Sequence, residues 1–374
     1  MGVVQIKYDD NKDIALTIVV PTYNEKLNVR PLVSLLDKAL VDINWEVVFV
    51  DDNSPDGTAD EIRELARTRL DVRVIHRIGR RGLSGACIEG ILSSAAPYVA
   101  VMDGDLQHDE TVLISMIASF NADPELNLVI GSRNVEGGSS GNGLSGIRSF
   151  GSDMATVMAR KLLKIQVQDP MSGFFMIKLE SFREVVGELQ RQGFKILTDL
   201  LSASRGSWKI KEIPFVFKER QYGQSKMDSA VTLEYFGLIL ARLTGGAISI
   251  RFVLFLFVGL TGLLVQLIML KFLLNVLALE YKYLQTLAVI TAMTSNFFLN
   301  NTLTYRDQSL RGRYMLFGLL SFYFVCSFGA VANISVASWI ESSSKLPILA
   351  SFLGGVISSL WNFISSKWLT WRVR

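Results

Sequence analysis

The chain has 374 residues, 49% of them hydrophobic, a net charge of +3, two cysteines and two histidines, and its mean hydropathy is +0.32. So small a charge, with no basic patch carrying interleaved aromatics, argues against a nucleic-acid partner. Cys87 and Cys326 lie far apart in different regions, and His76 and His108 are the only histidines, which excludes a disulfide framework and any Cys- or His-rich zinc site.

The hydropathy is unevenly spread. Residues 1–226 mix charged and apolar runs as a globular α/β domain does, whereas 251–371 are dominated by long apolar segments. The first residues, MGVVQIKYDDNKD, are polar and lack an apolar core, so no cleaved signal peptide is expected and the first domain is placed in the cytoplasm. Strands are expected at Leu16–Val20, Glu46–Val50, Val72–His76, Tyr98–Met102 and Leu126–Ile130. Helices are expected at Asn28–Leu40, Thr58–Arg67, Leu83–Ser94 and Thr111–Phe120. This alternation indicates βαβ units and a mostly parallel sheet. Gly137–Gly146 is flexible by composition and reads equally as a mobile loop over a site or a surface excursion.

Residues 228–246 are apolar on much of their circumference but too short to span a membrane, so an interfacial helix is expected, with an ordinary core helix as the alternative. Four candidate spans follow, at about 252–274, 284–304, 314–340 and 347–369, each reaching the roughly 20 apolar residues needed to cross the hydrocarbon. A cytoplasmic first domain puts Arg242, Arg251, Arg306, Arg311, Arg313, Lys367, Arg372 and Arg374 on its own side and leaves Lys282 and Lys345 opposite, in keeping with the positive-inside rule. The expectation is a multi-pass protein of the membrane (the plasma membrane in a prokaryote), with both termini cytoplasmic. This half also repeats: Asn296-Phe…Leu-Thr-Tyr-Arg306 matches Asn362-Phe…Leu-Thr-Trp-Arg372, and Arg251-Phe-Val-Leu-Phe255 echoes Arg313-Tyr-Met-Leu-Phe317. Two helices per unit restore the starting orientation, which makes this a parallel duplication. Asn296 and Asn362 read as contacts between helices or with lipid headgroups.

Five features gather at strand ends or in nearby loops: Val20-Pro-Thr-Tyr-Asn-Glu25, Val50-Asp-Asp-Asn-Ser-Pro-Asp-Gly-Thr58, Arg80-Arg-Gly-Leu-Ser84, Val101-Met-Asp-Gly-Asp-Leu-Gln-His108, and a late cationic set. That set, Arg133, Arg148 and the Arg220–Lys226 segment, is expected to supply cations without carboxylates beside them. Open α/β sheets bind ligands at the carboxyl ends of their strands. Asp103, Asp105 and the amide oxygen of Gln107 make an all-oxygen set suited to Mg²⁺ or Mn²⁺ carrying a diphosphate, although an isolated pair of this kind reads more readily as a solvated turn.

As a set, VPTYNE, VDDNSPDGT, RGLSG, MDGDLQH, GSR and RQYGQSK resemble family 2 glycosyltransferases of the GT-A fold, and most closely the dolichol- or polyprenol-phosphate mannose and glucose synthases, over about residues 14–226. The membrane half is similar to the four-helix GtrA-like proteins. The resemblance implies a Rossmann-like catalytic domain over 1–226, interfacial helices over 227–248 and a four-span domain over 249–374. It further implies that Pro21, Tyr23, Glu25, Asp51 or Asp52, Arg81 and Gly82 hold the nucleotide, that Asp103, Asp105 and Gln107 hold the metal, and that Arg133, Arg148 and Ser152 meet the acceptor phosphate. Arg220 and Lys226 match late nucleotide and phosphate contacts. Phe217 stands where many glucosyl-type relatives carry His. The implied reaction is inverting transfer of a hexose, mannose from GDP-mannose by preference and glucose from UDP-glucose as the alternative, to a dolichyl or polyprenyl monophosphate. A phosphate monoester is already anionic near neutrality, so charge neutralisation rather than a strong base is needed, and none of the implied site residues is a histidine. No Gln-x-x-Arg-Trp run occurs, which argues against a processive polysaccharide synthase. Retention of the carboxylates and arginines argues against a transporter with a degenerate first domain. Whether the membrane half anchors the enzyme or also moves its product stays open, as does a homo-oligomer.

Overall fold

The computed structural model describes residues 13–79, 81–139, 166–189, 195–218, 244, 248–277, 279, 281–344, 357 and 359–371. The chain divides into two compact units, Met1–Gly246 and Ala247–Arg374.

The first unit is built on strands β1 (Leu16–Thr22), β2 (Trp45–Asp51), β3 (Val72–His76), β4 (Tyr98–Val101), β5 (Leu128–Ser132), β6 (Phe175–Lys178) and β7 (Ile210–Pro214). Its helices are α1 (Lys26–Ala39), α2 (Thr58–Ala66), α3 (Leu83–Leu92), α4 (Val112–Ala122), α5 (Leu179–Val185) and α6 (Ile196–Ala203). The sheet order is β3-β2-β1-β4-β6-β5-β7, and β6 alone runs antiparallel to its neighbours. The result is the mostly parallel sheet expected. The central strands LTIVVPT and WEVVFVD are buried almost throughout, because helices cover both faces of a parallel sheet and leave no side for water.

Sequence periodicity does not reveal β6 and β7. In β6 four residues run directly into α5. In β7, IKEIP lies at the sheet edge and is only partly buried. The consequence for function is directional. Thr22, Asp51, Val101 and Ser132 end their strands on one edge, and β6 begins there, with Phe175 paired to Val101.

The second unit contains α7 (Ile250–Val276), α8 (Tyr281–Leu299), α9 (Arg313–Ser344) and a final helical segment over 359–365. α7 has 27 residues with a most apolar stretch of mean hydropathy 2.6, enough to cross a membrane. Leu260, Leu264, Leu267 and Ile268 are exposed on it, as Leu316, Phe317, Leu320 and Phe324 are on α9. Such broad apolar surface needs an apolar solvent.

The repeat is structural, but its register differs from the arginine echo. Arg251, Phe255, Val258 and Gly262 form the buried stripe of α7, and Gly318, Phe322, Val325 and Gly329 repeat that spacing on α9. Arg251 therefore corresponds to Gly318, not Arg313. Phe317, its partner Phe255's supposed echo, is 65% exposed. The second pattern holds: 300–304 and 366–370 are both π-helical turns, and Tyr305 and Trp371, which follow them, stack with centroids 4.2 Å apart and planes at 5°. The Trp371 indole N–H donates to Asn301 Oδ1 at 2.9 Å. Asn296 packs directly on Gly262, and Asn362 on Gly329, where a methyl group would overlap each amide. That is the packing of a helix–helix contact. The expected segment 228–246, except Thr244, and residues 347–356 and 358 of the span at 347–369 lie outside the described residues.

Candidate active site

Three loops meet at the carboxyl edge of the sheet, each turned by a residue with positive φ: Asn24 after β1, Asn53 after β2 and Leu106 after β4. Asparagine adopts this conformation readily, whereas leucine does so at a cost. Burial of Leu106 in the main core, at 5% exposure, holds it there. The turn it makes directs Asp105 and Gln107 into one pocket of backbone.

Gln107 is fixed from both ends. Its N–H donates to Asp105 Oδ1 at 3.2 Å, its Nε2 donates to the Lys218 carbonyl at 3.0 Å, and its own carbonyl accepts from Lys218 N. With the amide nitrogen committed to a carbonyl, the amide oxygen is the acceptor end of the side chain. Asp105 and Gln107 are buried while the Asp103 side chain is 38% exposed. Gly173 lies flat against Asp103, since a Cβ there would come within 3.0 Å of Oδ2.

His108 supports this loop. Its Nδ1 accepts from Asp103 N at 3.1 Å, which places the proton on Nε2, 3.7 Å from Asp103 Oδ2. The ring stacks on Phe174 and is edged by Phe215 and Phe217. Burial among these rings lowers its pKa to about 4, so it is neutral at pH 7.

The donor set fits a hard divalent cation. Two carboxylates and an amide oxygen are all-oxygen ligands. Among the described residues no group of three or more His, Cys, Asp or Glu side chains gathers; phosphate oxygens and water are further hard ligands that a bound diphosphate would bring.

Arg133 corrects the expectation of a cation without a carboxylate. Its Nε and Nη2 both bind Asp169, at 2.8 and 2.9 Å, and Asp169 is fully buried. The Asp169 and Gln168 N–H groups are in turn held by Glu212 of β7. This bidentate clamp fixes the guanidinium but occupies the fork that a phosphate would otherwise use. Phe217 lies under the same guanidinium, 5.7 Å from its centre. Burial favours the neutral form of Arg133, but its bonds to Asp169 outweigh this and hold its pKa above the ordinary value.

On the β1–β2 side, Arg81 lies over the Tyr23 ring at 4.8 Å and donates to its hydroxyl at 3.3 Å. Glu25 is buried and accepts from Asn28 Nδ2, and Pro21, next to the end of β1, is partly exposed. Asp51 is fully buried, binding Ser54 N and Thr22 Oγ1. Asp52 pairs with Arg77 and accepts from Gly82 N at 2.7 Å. Burial raises the Asp52 pKa despite the neighbouring Arg77 charge. Both carboxylates thus brace the loops, and Asp52 ties the Arg81-Gly82 turn to the end of β2.

The structure therefore brings Pro21, Tyr23, Glu25, Asp51, Asp52, Arg81, Gly82, Asp103, Asp105, Gln107 and Arg133 to one edge. Arg148, Ser152, Arg220 and Lys226 lie outside the described residues, as does most of Gly137–Gly146. Sequence reasoning gave no role to Asp169 or His108. The turn-forming run Gln168-Asp-Pro-Met-Ser-Gly173 was the one available signal, and nothing in it points to Arg133.

The family model for glycosyl transferase family 2 matches residues 17–186, and that for the GtrA/DPMS transmembrane domain matches 254–371. A dolichol-phosphate mannosyltransferase of Pyrococcus furiosus is 34% identical over 359 residues, covering 95% of this chain and 99% of the relative. The chain belongs to the dolichol-phosphate mannosyltransferase family. The namesake from Mycosarcoma maydis is 36% identical over 247 residues, 64% of this chain and 83% of its own. A crystal structure of glucosyl-3-phosphoglycerate synthase from Mycobacterium tuberculosis, in complex with Mn²⁺, UDP and glucosyl-3-phosphoglycerate, is 16% identical with a TM-score of 0.48, covering 62% of this chain and 80% of that one. As a member of this family, the protein is a glycosyltransferase with an α/β GT-A catalytic domain and a membrane domain. In this chain, the carboxylate loop falls within the family 2 match and the stacked Tyr305–Trp371 pair within the membrane-domain match.

Proposed function

We propose that this glycosyltransferase moves a hexose, mannose from GDP-mannose, to a dolichyl or polyprenyl monophosphate, with inversion at the anomeric carbon. One observation carries the reading: the strand-end carboxylates Asp103 and Asp105 stand at the same sheet edge as Arg133, whose guanidinium is fixed in place by Asp169. A site of this kind suits two anionic partners that must approach each other, and it needs no general base. That fits His108, which is neutral and turned onto the Asp103 backbone rather than outward.

In this reading Tyr23, Arg81, Pro21, Glu25 and Asp52, with Gly82 and Asp51 bracing them, receive the nucleotide. Asp103, Asp105 and Gln107 hold Mg²⁺ or Mn²⁺ on the donor diphosphate. When bound, that cation neutralises the diphosphate and stabilises it as it departs. Arg133, with Arg148 and Ser152, orients the acceptor phosphate so that one oxygen attacks in line, and Arg220 and Lys226 complete the phosphate contacts. An α-linked donor then gives a β-linked lipid-phosphate sugar. The catalytic domain faces the cytoplasm, four spans hold it at the bilayer where the lipid acceptor resides, and residues 228–246 lie in the interface.

The test is direct. Purified full-length protein is incubated with a panel of labelled sugar nucleotides, a polyprenyl phosphate and Mg²⁺ or Mn²⁺, and label is followed into the organic phase. GDP-mannose should give the highest rate and a product labile to mild acid. Transfer from UDP-glucose instead would replace the donor assignment, and transfer from none would defeat the reading.

A further inference from the structure

Charge around the reacting centre does not balance through Arg133. Its guanidinium is neutralised by the buried Asp169 carboxylate, while Asp103 and Asp105 add two negative charges at the same edge. Beyond the divalent cation, Arg148, Arg220 and Lys226 of that reading, a site that receives phosphates gains from a further cation beside these carboxylates.

Lys195 is placed to supply it. It immediately precedes α6, and the helix is fastened to the 169–173 loop by Thr198, whose Oγ1 donates to the Pro170 carbonyl at 2.7 Å. Lys195 Nζ donates to the next carbonyl, Met171, at 3.4 Å. That loop joins Asp169, which holds Arg133, to Gly173, which backs Asp103. The ammonium is consequently near enough to feel Arg133, Asp103 and Asp169 together.

Among the described residues Lys195 forms no ion pair, and the long contact to Met171 is its one hydrogen bond there. An ammonium has three donors, and one neutral carbonyl at that distance satisfies it poorly. Burial, with the Arg133 charge beside it, pulls the lysine below its ordinary range. A strained cation of this kind gains from any anion brought within reach. The side chain is long and unbranched, so its ammonium can leave the carbonyl without disturbing α6.

We propose that Lys195 contacts a phosphate oxygen of the reacting pair and is a further catalytic residue of the transfer. The inference rests on the reading of a phosphate acceptor and a diphosphate donor. The oxygen belongs either to the acceptor monophosphate beside Arg133 or to the donor diphosphate beside Asp103. The chemistry of the contact is the same in both.

The experiment uses full-length enzyme with Lys195→Met, Lys195→Arg and Lys195→Cys, the last assayed before and after alkylation with 2-bromoethylamine, with identically treated wild type as control. Loss of the ammonium should lower turnover roughly 100-fold, in the range of removing one charge-stabilising donor, with the thermal transition unchanged. Aminoethylation of the cysteine variant should restore much of the rate, and Lys195→Arg should retain more than Lys195→Met. Nucleoside-diphosphate titration and acceptor KM separate the sources. Weakened nucleotide binding assigns the donor phosphate, and a raised KM the lipid phosphate. A fall in kcat alone, restored by alkylation, assigns a contact made only in the transition state. Lys195→Met turnover within about twofold of wild type would overturn the proposal, as would lost turnover that alkylation fails to restore. Wild-type enzyme that uses no lipid phosphate would overturn the acceptor reading and this inference with it.

Discussion

Asp169→Asn should expose how the Arg133 guanidinium is held. Asp169 is fully buried and binds Arg133 through two side-chain bonds, at 2.8 and 2.9 Å, and through Arg133 N at 3.2 Å. The Arg133 side chain is itself only 15% exposed, so the substitution leaves a largely buried guanidinium without its counter-charge. Removing one member of a buried pair costs about 3–5 kcal/mol. Asparagine keeps one acceptor oxygen, which argues for the lower end, about 3 kcal/mol. The freed guanidinium would then rotate towards solvent, and acceptor KM should rise more than nucleotide affinity falls. The assay pairs a thermal transition of detergent-solubilised protein with acceptor and donor titrations. A variant with wild-type melting and wild-type acceptor KM would show that the clamp neither stabilises the fold nor presents Arg133.

Asp105→Ala should nearly abolish transfer with the fold intact, because a direct ligand to the diphosphate-bound cation is worth several kcal/mol in the transition state; wild-type turnover with Mg²⁺ or Mn²⁺ would remove the metal assignment. His108 predicts acid sensitivity of the fold. Its folded pKa, about 4, lies below the ordinary histidine value of 6.5, so the unfolded chain binds more protons between those values and stability falls as pH drops through that window. The full effect is about 3 kcal/mol, and His108→Phe should flatten the pH dependence of the melting temperature between 6.5 and 4. Gly262→Ala and Gly329→Ala each force a methyl group into an asparagine amide, so each should destabilise the membrane unit by about 1–3 kcal/mol. Pairing Gly262→Ala with Asn296→Ala should recover part of that loss in a melting series, and additive losses would refute the packing.

The catalytic fold was largely legible because its signals are local. β1, β2, β3 and β4 are apolar β-branched runs closed by turn residues, and their carboxyl ends deliver Asp51 and Asp103 wherever the sheet places them. Asp103, Asp105 and Gln107 were readable for the same reason, since two short turns determine their relation. Arg133 and Asp169 are different. Each is ordinary in its own segment, and their pairing depends on β6 inserting antiparallel between β4 and β5. That insertion rests on a four-residue strand whose pattern merges with α5. Lys195 depends on the same loop and was hidden for the same reason.

The membrane repeat shows how a true signal can still give a false register. The arginines at 251 and 313 align by sequence because both open a helix at the edge of an apolar run, where a cation is favoured. Burial obeys a different rule. The residues that must coincide in a duplicated bundle are those that touch, and these are Phe255 with Phe322, Val258 with Val325, and the glycines on which Asn296 and Asn362 rest. Arg251 then falls opposite Gly318, free to lie over the Tyr305 ring at 5.7 Å, while Gly318 admits Leu310 and Phe297 at the matching place. The duplication is thus symmetric in its packing and asymmetric in its charge. One half sets a guanidinium against the stacked Tyr305–Trp371 pair, and the other fills the same position with apolar side chains.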